Sequence, residues 1–492
     1  MKLSDLLGKA GVTPLGSLGD AEIDSISLDS RKVGPGTLFV CMPSRNSDSH
    51  SYLASAAQNG AVAAIVYEVR GMGLAQKAGL AAVLLSNEGL DYNEALWQIC
   101  RALFDSPSRD MKVVGVTGTN GKTTTAWLIR DMLVALGERA AYLGTLGIQL
   151  PGEERELSNT TPFAVELYSL LGELRAKDVG ALAVEVSSHA LSERRSDGVE
   201  FDAGVFTNLT QDHLDFHGTM ESYGRAKHRL FSQLPKQTEK RFVAAFNIDD
   251  PIGLRWSLEQ DGPTVTYGLQ GDADLRGTAV QVKVDRIRMR LEYRGEIEVA
   301  IPLGGNFNVS NCLSASAGML ALGYDLGTIK EALPQVRPVP GRFEAVPNNK
   351  GIGILVDYAH TADALEKLLD SVRELQPNRI VTVFGCGGDR DRTKRPKMAL
   401  AASERSDLTV VTSDNPRSED PAEILAEVTK GIVPGKESVA IIDRREAIEY
   451  AVRAARPGDV VVIAGKGHEN YQIIGRTKYP MDDRLMAAEA LS

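Results

Sequence analysis

A short apolar run, Val113 to Val116, ends in glycines and gives way to a helical pattern. The run suits a buried parallel strand. The positions after it predict a helix from Thr123 to about Leu136, with Leu128, Met132 and Leu136 on one face and Gly137 as its C-terminal stop. Further strands are predicted at Ala181 to Val186, Gly204 to Thr207 and Phe242 to Asn247, with helices between most of them, which is the pattern of a parallel sheet. One stretch has a different period. Val280, Val282 and Val284, then Ile287, Met289, Leu291 and Tyr293, then Ile297, Val299 and Ile301 alternate with mostly polar residues. It reads as an antiparallel, half-buried appendage, with Arg294-Gly295 as a turn between two of its strands.

Two interruptions divide the chain. Asp105 to Lys112 contains Ser106-Pro107-Ser108 and reads as a linker, and Arg337-Pro338-Val339-Pro340-Gly341 marks a second boundary. Residues 1–106 form a small α/β unit with strands at Thr37 to Met42 and Ala61 to Tyr67. Residues 107–336 form a central α/β domain with a parallel sheet, a phosphate-binding loop and the antiparallel appendage. Residues 337–492 place strands at Ile354 to Val356, Ile380 to Phe384, Leu408 to Val411 and Val460 to Ile463 around helical patterns such as Ala362 to Leu375. That alternation predicts a doubly wound, Rossmann-like α/β domain. The expected fold class is thus α/β in three domains, as 492 residues suggest at roughly 150 per domain.

Composition narrows the functions. Apolar residues at 43% and charged residues at 24% are ordinary for a soluble globular chain. A net charge of −10 argues against a general nucleic-acid or anionic-membrane binder, since both need a basic surface. Cys41, Cys100, Cys312 and Cys386 lie far apart with no CxxC pair, so they read as buried thiols and not as a zinc site or disulfide framework. The first residues lack the apolar stretch of a signal peptide, and no apolar run nears the length of a membrane span, so a cytoplasmic location is expected.

Gly118-Thr119-Asn120-Gly121-Lys122-Thr123-Thr124 follows the first central strand and opens the helix. Its glycines let backbone N–H groups turn around phosphate oxygens at a helix N-terminus, whose dipole also favours anions. Lys122 would reach the β/γ-phosphates of a nucleotide and the Thr123 hydroxyl would bind Mg²⁺. The loop departs from strict GxxxxGK[ST], because Val116 stands five before Gly121. A kinase, an NTPase switch or an ATP-dependent ligase could each use it.

Ten further motifs follow in order: NTTP from Asn159, EVSSHAL from Glu185, TNLTQDHLDFHG from Thr207, YGRAK from Tyr223, GNFNVSN from Gly305, PGRFE from Pro340, DYAHT from Asp357, FGCGGDRD from Phe384, DNPR from Asp414 and AGKGHE from Ala464. With the phosphate loop, the series resembles the Mur ligases of peptidoglycan synthesis, over nearly the whole chain. Within that family it is most similar to the branch that adds meso-diaminopimelate to the D-glutamate γ-carboxylate of UDP-N-acetylmuramoyl-L-alanyl-D-glutamate. The implied reaction is ATP-dependent amide formation through an acyl phosphate. Phosphorylation turns a poor leaving group into a good one, and the site must neutralise phosphoryl charge and exclude water.

The resemblance implies a role for each matched residue. Glu185, at the end of an apolar strand, becomes a Mg²⁺ ligand; from chemistry alone it could equally be a capping or ion-paired carboxylate. His213 becomes a ligand of a second Mg²⁺, although hard cations prefer oxygen and a general base or loop residue is the alternative. Lys227 becomes a carbamylated lysine able to bridge to metal, whereas its basic helix (Arg225, Lys227, His228, Arg229) reads by itself as a solvated face. Asn159, Thr160, Thr161, Ser187 and Arg195 match positions that hold the peptide and phosphate parts of the UDP-sugar, and Leu28 and Ser30 match uridine-side contacts. Arg45-Asn46-Ser47 aligns with a binding loop. Glu193 replaces a glutamine of the related pattern and would repel an anionic substrate unless it points away or acts through its neighbours. Asn308, Asn311, Arg342 and Asp357 match adenosine-side contacts, with helix capping by Asn308 as the alternative.

For the incoming amino acid, Asp414-Asn415-Pro416-Arg417 offers an arginine for paired hydrogen bonds to a carboxylate and an acid for the neighbouring ammonium. Arg390, Gly465 and Glu469 match the remaining contacts. Lysine-adding relatives lack this arginine, which favours diaminopimelate. Two other readings compete: a folylpolyglutamate-synthase-like ligase, which needs no domain before the phosphate loop, and a non-catalytic nucleotide-binding regulator, which would lack Glu185, His213 and Lys227. The chain is expected to act as a monomer on small molecules, with no nucleic-acid partner.

Overall fold

In the computed structural model, residues 1–43, 48–86, 89–150 and 152–491 are described. Their contacts group into two compact units, Met1–Leu275 with Leu313–Ile329, and Arg276–Cys312 with Lys330–Ser492.

The first unit contains two sheets. The N-terminal sheet runs in the order Gly16–Leu18, Ala81–Leu84, Ala61–Val66, Thr37–Val40, Ser25–Ser27, parallel except for its first strand. The two strands expected here are present; Gly16–Leu18 and Ser25–Ser27 are too short to carry a period in sequence. The central sheet holds parallel neighbours in the order Thr264–Gly268, Val243–Asn247, Ala203–Phe206, Lys112–Thr117, Ala181–Glu185, Ala140–Gly144, and continues through the antiparallel strands Gly147–Leu150 and Glu153–Arg155. One hydrophobic cluster, from Leu6 and Ile65 through Trp97 and Tyr168 to Phe246, runs through both sheets. The stretch read as a linker is anchored. Arg175 donates to the carbonyls of Phe104 and Asp105, and Lys240 donates to those of Ser108 and Met111. Asp105 and Ser106 turn the chain there with positive φ.

The expected helix after the phosphate loop spans Lys122–Ala135, and Gly137 stops it with φ 83°. The helix is buried on almost all sides, so its apolar stripe marks only part of what it buries.

In the second unit, Ile287–Glu292 pairs antiparallel with Leu275–Val282, a strand that straddles the unit boundary, and with Glu296–Ile301. The predicted Arg294-Gly295 turn closes the second hairpin, where the Tyr293 N–H donates to the Gly295 carbonyl. The first pairing shifts register between Thr278 and Gln281, around Ala279 at φ 48°. The C-terminal sheet runs Glu344–Ala345, Gly353–Asp357, Val460–Ala464, Ile380–Cys386, Leu408–Ser413, Ser438–Ala440, parallel except for its first strand. Its side chains divide cleanly between two faces. Leu355, Phe384, Val411 and Val462 pack with Leu365, Leu369, Met398 and Val428. Val356, Val383, Val410 and Ile463 pack with Ile448, Ala451 and Met486. Period-two alternation under helices on both faces makes this domain doubly wound, as expected.

Candidate functional site

The phosphate loop owes its shape to two glycines. Gly121 adopts φ 83° immediately before the helix, and a Cβ on Gly118, at φ 150°, would overlap the Thr207 hydroxyl. The loop is laced to the Thr207–Thr210 segment. Thr207 Oγ1 donates to the Asn120 carbonyl at 2.6 Å, the Thr119 N–H to the Asn208 carbonyl at 2.8 Å, and the Asn120 N–H to Asn208 Oδ1 at 3.0 Å. Lys122 Nζ folds back onto the carbonyls of Gly118 and Thr119, at 3.0 and 2.8 Å. Thr124 is buried in the first helical turn.

Glu185 ends its strand fully buried. Its Oε1 accepts from the Tyr142 hydroxyl and from the Thr145 N–H, and its Oε2 accepts from Thr123 Oγ1 at 3.0 Å. Oε2 also accepts from Thr145 Oγ1 at 3.3 Å, so Thr145 braces both oxygens while Oε2 sits beside the Thr123 hydroxyl. Two hard oxygen donors side by side suit a Mg²⁺ ion. Tyr142 and Thr145 carry no sequence signal, because a strand tyrosine and a turn threonine are ordinary residues.

Lys227 departs from the reading of its helix as a solvated face. It is only 1% exposed, and Nζ donates to the Gly118 carbonyl at 2.7 Å over the face of Tyr223. Burial, with Lys122 nearby, pushes its amine well below the usual lysine range. Among the described residues it forms no ion pair. His213 is half-exposed, in the left-handed region at φ 50°, 3.5 Å from Asp212 and beside the rings of His189 and Tyr223. No group of three or more His, Cys, Asp or Glu residues placed to hold a metal occurs among the described residues.

A cavity of about 910 Å³ opens in the first unit, lined by Leu28, Asp29, Asn159, Phe163 and Glu193 among others. Ser30 is buried next to it, its carbonyl accepting from Asn59. Thr160 Oγ1 lies 3.2 Å from Thr145 Oγ1. Thr161 Oγ1 donates to the Glu185 carbonyl at 2.7 Å and accepts from the Ser187 N–H, while Ser187 caps the helix Ser188–Ser192. Arg195 stacks on Phe163 and donates to the Thr161 carbonyl at 3.0 Å and to Glu193 Oε2, which lies 2.7 Å from its Nη2. Glu193 lines the cavity, and its carboxylate is paired with the Arg195 guanidinium. Arg45-Asn46-Ser47 lies outside the described residues.

Within the second unit, Asn308 sits inside the helix Phe307–Ala321 and is not its cap; its Nδ2 donates to the Gly304 carbonyl, and its Oδ1 accepts from Asn311. Asp357 accepts from the N–H groups of Phe343 and Ala359, and burial pushes its carboxyl up. The Arg342 guanidinium stands 5.5 Å from the Tyr358 ring centroid.

Asp357 ends its parallel strand, and Gly465, Arg390 and Asp414–Arg417 follow the carboxyl ends of theirs, the edge where doubly wound sheets take ligands. Pro416 and Arg417 turn there, with Arg417 at φ 51° and its Nη1 donating to the Gly388 carbonyl at 2.8 Å. Asn415 Nδ2 donates to Glu469 Oε2 at 3.0 Å. Arg390, on the neighbouring loop, is exposed. Two residues had escaped the sequence analysis. Lys466 is fully buried and donates to Asn415 Oδ1 and Glu469 Oε2. Arg444 forms a fully buried ion pair with Asp483 and donates to the Ala464 carbonyl, just before Gly465. Lys466 stands inside the AGKGHE motif, which could have drawn attention to it; Arg444 has no such flag.

The chain is similar to known proteins along its whole length. The Mur ligase middle domain family matches residues 116–319, and the family described as Mur ligase, glutamate ligase domain matches residues 341–467. A UDP-N-acetylmuramoyl-L-alanyl-D-glutamate--2,6-diaminopimelate ligase of Syntrophomonas wolfei is 42% identical over 100% of this chain and 99% of its own. The protein of that name from Gloeobacter violaceus is 43% identical, over 100% of this chain and 98% of its own. A solved structure of a ligase of the same name superposes with a TM-score of 0.69 at 33% identity, covering 95% of this chain and 94% of that one. The chain belongs to the Mur ligase family.

Proposed function

We propose that the chain joins meso-diaminopimelate to the D-glutamate γ-carboxylate of UDP-N-acetylmuramoyl-L-alanyl-D-glutamate, at the expense of ATP. The observation that carries this reading is whole-length identity above 40% to relatives named for that ligation. ATP binds through the phosphate loop Gly118–Thr124, with Asn308, Asn311, Arg342 and Asp357 as adenosine-side contacts. Lys122 leaves its two carbonyl partners for the β/γ-phosphates, where its charge grows in value as phosphoryl charge develops. Thr123 and Glu185 would hold one Mg²⁺, His213 would be a ligand of a second, and the carbamate of Lys227 would bridge to metal. The metal supplies charge neutralisation for phosphoryl transfer. Lys227 is buried, and burial with Lys122 nearby pushes its amine well below the usual lysine range, toward the uncharged form that combines with carbon dioxide, which supports the carbamate assignment.

The UDP-sugar dipeptide occupies the cavity beside Leu28 and Ser30, with Asn159, Thr160, Thr161, Ser187 and Arg195 around its peptide. Diaminopimelate is held by Arg390, Asp414, Asn415, Pro416, Arg417, Gly465 and Glu469, its distal carboxylate on Arg417. Its amine attacks the acyl phosphate, forming the amide and releasing phosphate. We assign residues 1–106, 107–336 and 337–492 to the UDP-sugar, ATP and amino-acid parts, acting as a cytoplasmic monomer. No helix of the described residues is long and apolar enough to cross a membrane.

One assay tests the reading: ATP, the UDP-muramoyl dipeptide and Mg²⁺ are supplied with either meso-diaminopimelate or L-lysine. ADP release and a tripeptide product with diaminopimelate are expected. No ADP release with all reactants present overturns the ligase reading, and equal turnover of lysine overturns the amino-acid assignment.

A further inference from the structure

The strand after the AGKGHE motif buries a polar side chain that no part of the proposed chemistry uses. Tyr471–Ile474 and Thr477–Pro480 form a hairpin that is a sheet of its own, and two strands by themselves are marginal in water. Of the residues in these two strands only Gln472 is buried. Its Nε2 donates to the Asp414 carbonyl at 2.6 Å and lies 3.5 Å from Ser413 Oγ, at the end of the strand Leu408–Ser413. The backbone beside it continues the join. The Ile473 N–H donates to Asn415 Oδ1 at 2.9 Å, the Arg417 N–H to the Ile473 carbonyl at 3.1 Å, and the Gly475 N–H to the Arg417 carbonyl at 2.7 Å. Both backbone polar groups of Arg417 are thus taken by the hairpin. Arg417 needs such a hold, because it sits at φ 51°, a region that L-residues with a side chain adopt only where the surroundings impose it.

Resting on the function proposed above, we infer that Gln472 is a positioning residue for the incoming amino acid. Its amide pins the hairpin against Asp414, and the hairpin in turn fixes the backbone of Asp414–Arg417 and the direction in which the Arg417 side chain leaves it. Register is what the amide secures. Successive strand residues face opposite sides, so a slip of one position would carry Gln472 into solvent and take Ile473 away from Asn415 and Arg417. From the backbone held this way, Arg417 Nη1 reaches the Gly388 carbonyl at 2.8 Å, on the loop that carries Arg390. The hairpin, the Asp414–Arg417 loop and the loop of Arg390 are linked in that order, and the effect of Gln472 on the substrate runs through them.

The test compares kcat/KM for meso-diaminopimelate in the full-length enzyme and its variants. Gln472→Met keeps the length of the side chain and removes the donor. It is expected to lower kcat/KM about tenfold, through the KM of diaminopimelate, with the KM values of ATP and the UDP-dipeptide unchanged. Added to Arg417→Ala, the same change is expected to cost less than about threefold more, because a residue that acts through Arg417 then has little left to position. A residue that merely stabilises the fold would show its full effect in both backgrounds. Gln472→Glu is the same size as glutamine, and at about pH 8 its carboxylate cannot donate to the Asp414 carbonyl. It is expected to reproduce both results and carries the test should Gln472→Met not fold. Unchanged use of diaminopimelate in these variants, an equal rise in the KM of ATP, or the full loss repeated on top of Arg417→Ala overturns the inference. Failure of the unaltered enzyme to use diaminopimelate would instead overturn the function on which it rests.

Discussion

Two buried lysines sit in opposite surroundings. At the phosphate loop, Lys227 is packed against a backbone carbonyl and a tyrosine face with Lys122 close by, and its amine is pushed far down. At the amino-acid edge, Lys466 is as deeply buried, but its ammonium is paired with Glu469 and tied to Asn415. The first region gathers cationic side chains around a carbonyl, a costly arrangement until anionic phosphate or a modifying group arrives. The second pairs its buried cations with carboxylates and forms a finished frame, with the Arg444–Asp483 pair behind it. Burial alone does not say what a lysine does; the sign of its neighbours decides.

The largest effect is expected where the frame is cut. Arg444→Met leaves Asp483 buried and uncompensated beneath the ends of the strands Leu408–Ser413 and Val460–Ala464, and is expected to cost about 3–5 kcal/mol in denaturant unfolding. The double variant Arg444→Met/Asp483→Leu should recover most of that loss; if it does not, the pair is no longer what holds the edge. Next comes Arg417→Ala, which removes the side chain proposed to hold the distal carboxylate. It should lower kcat/KM for diaminopimelate by about 30- to 150-fold, the worth of a charged hydrogen-bonded contact of about 2–3 kcal/mol. Calorimetric ATP affinity should stay the same, and an equal loss there would place Arg417 elsewhere in the chemistry.

A smaller effect separates the two lysines directly. Because burial lowers the folded-state pKa of Lys227 below its unfolded value, the unfolded chain binds more protons between those two values. Stability contributed by this group therefore rises with pH through that window and is absent below it. In buffer free of carbon dioxide, Lys227→Met should be the more stable protein at neutral pH, where the unaltered lysine is penalised, and lose that advantage as pH nears the ordinary lysine range. Urea midpoints from pH 7 to 10 measure the crossover, and parallel curves for the two proteins would show that Lys227 carries no such penalty.

The sheets were largely legible in the chain. Val113–Val116 and Val460–Ile463 are apolar runs because parallel strands are buried on both faces, and Arg294-Gly295 announced its turn. Short edge strands such as Ser25–Ser27 escaped, having too few residues to show a period. At the site, the phosphate loop declared itself through glycines that no other residue replaces at those backbone angles. Tyr142 and Arg444 stayed invisible, since their importance lies in partners 43 and 39 residues away.

By itself, then, the order of residues determined the elements, their apolar faces and the local turn chemistry, because these depend on neighbours a few positions apart. Which charges are buried, and beside what, was decided only by the tertiary structure. Lys227 looks like part of a basic helix surface and Glu193 like a repulsive substitution until packing turns one inward and pairs the other with Arg195. Electrostatic energy depends on distance through space and on exclusion of water, and neither quantity is written along the chain.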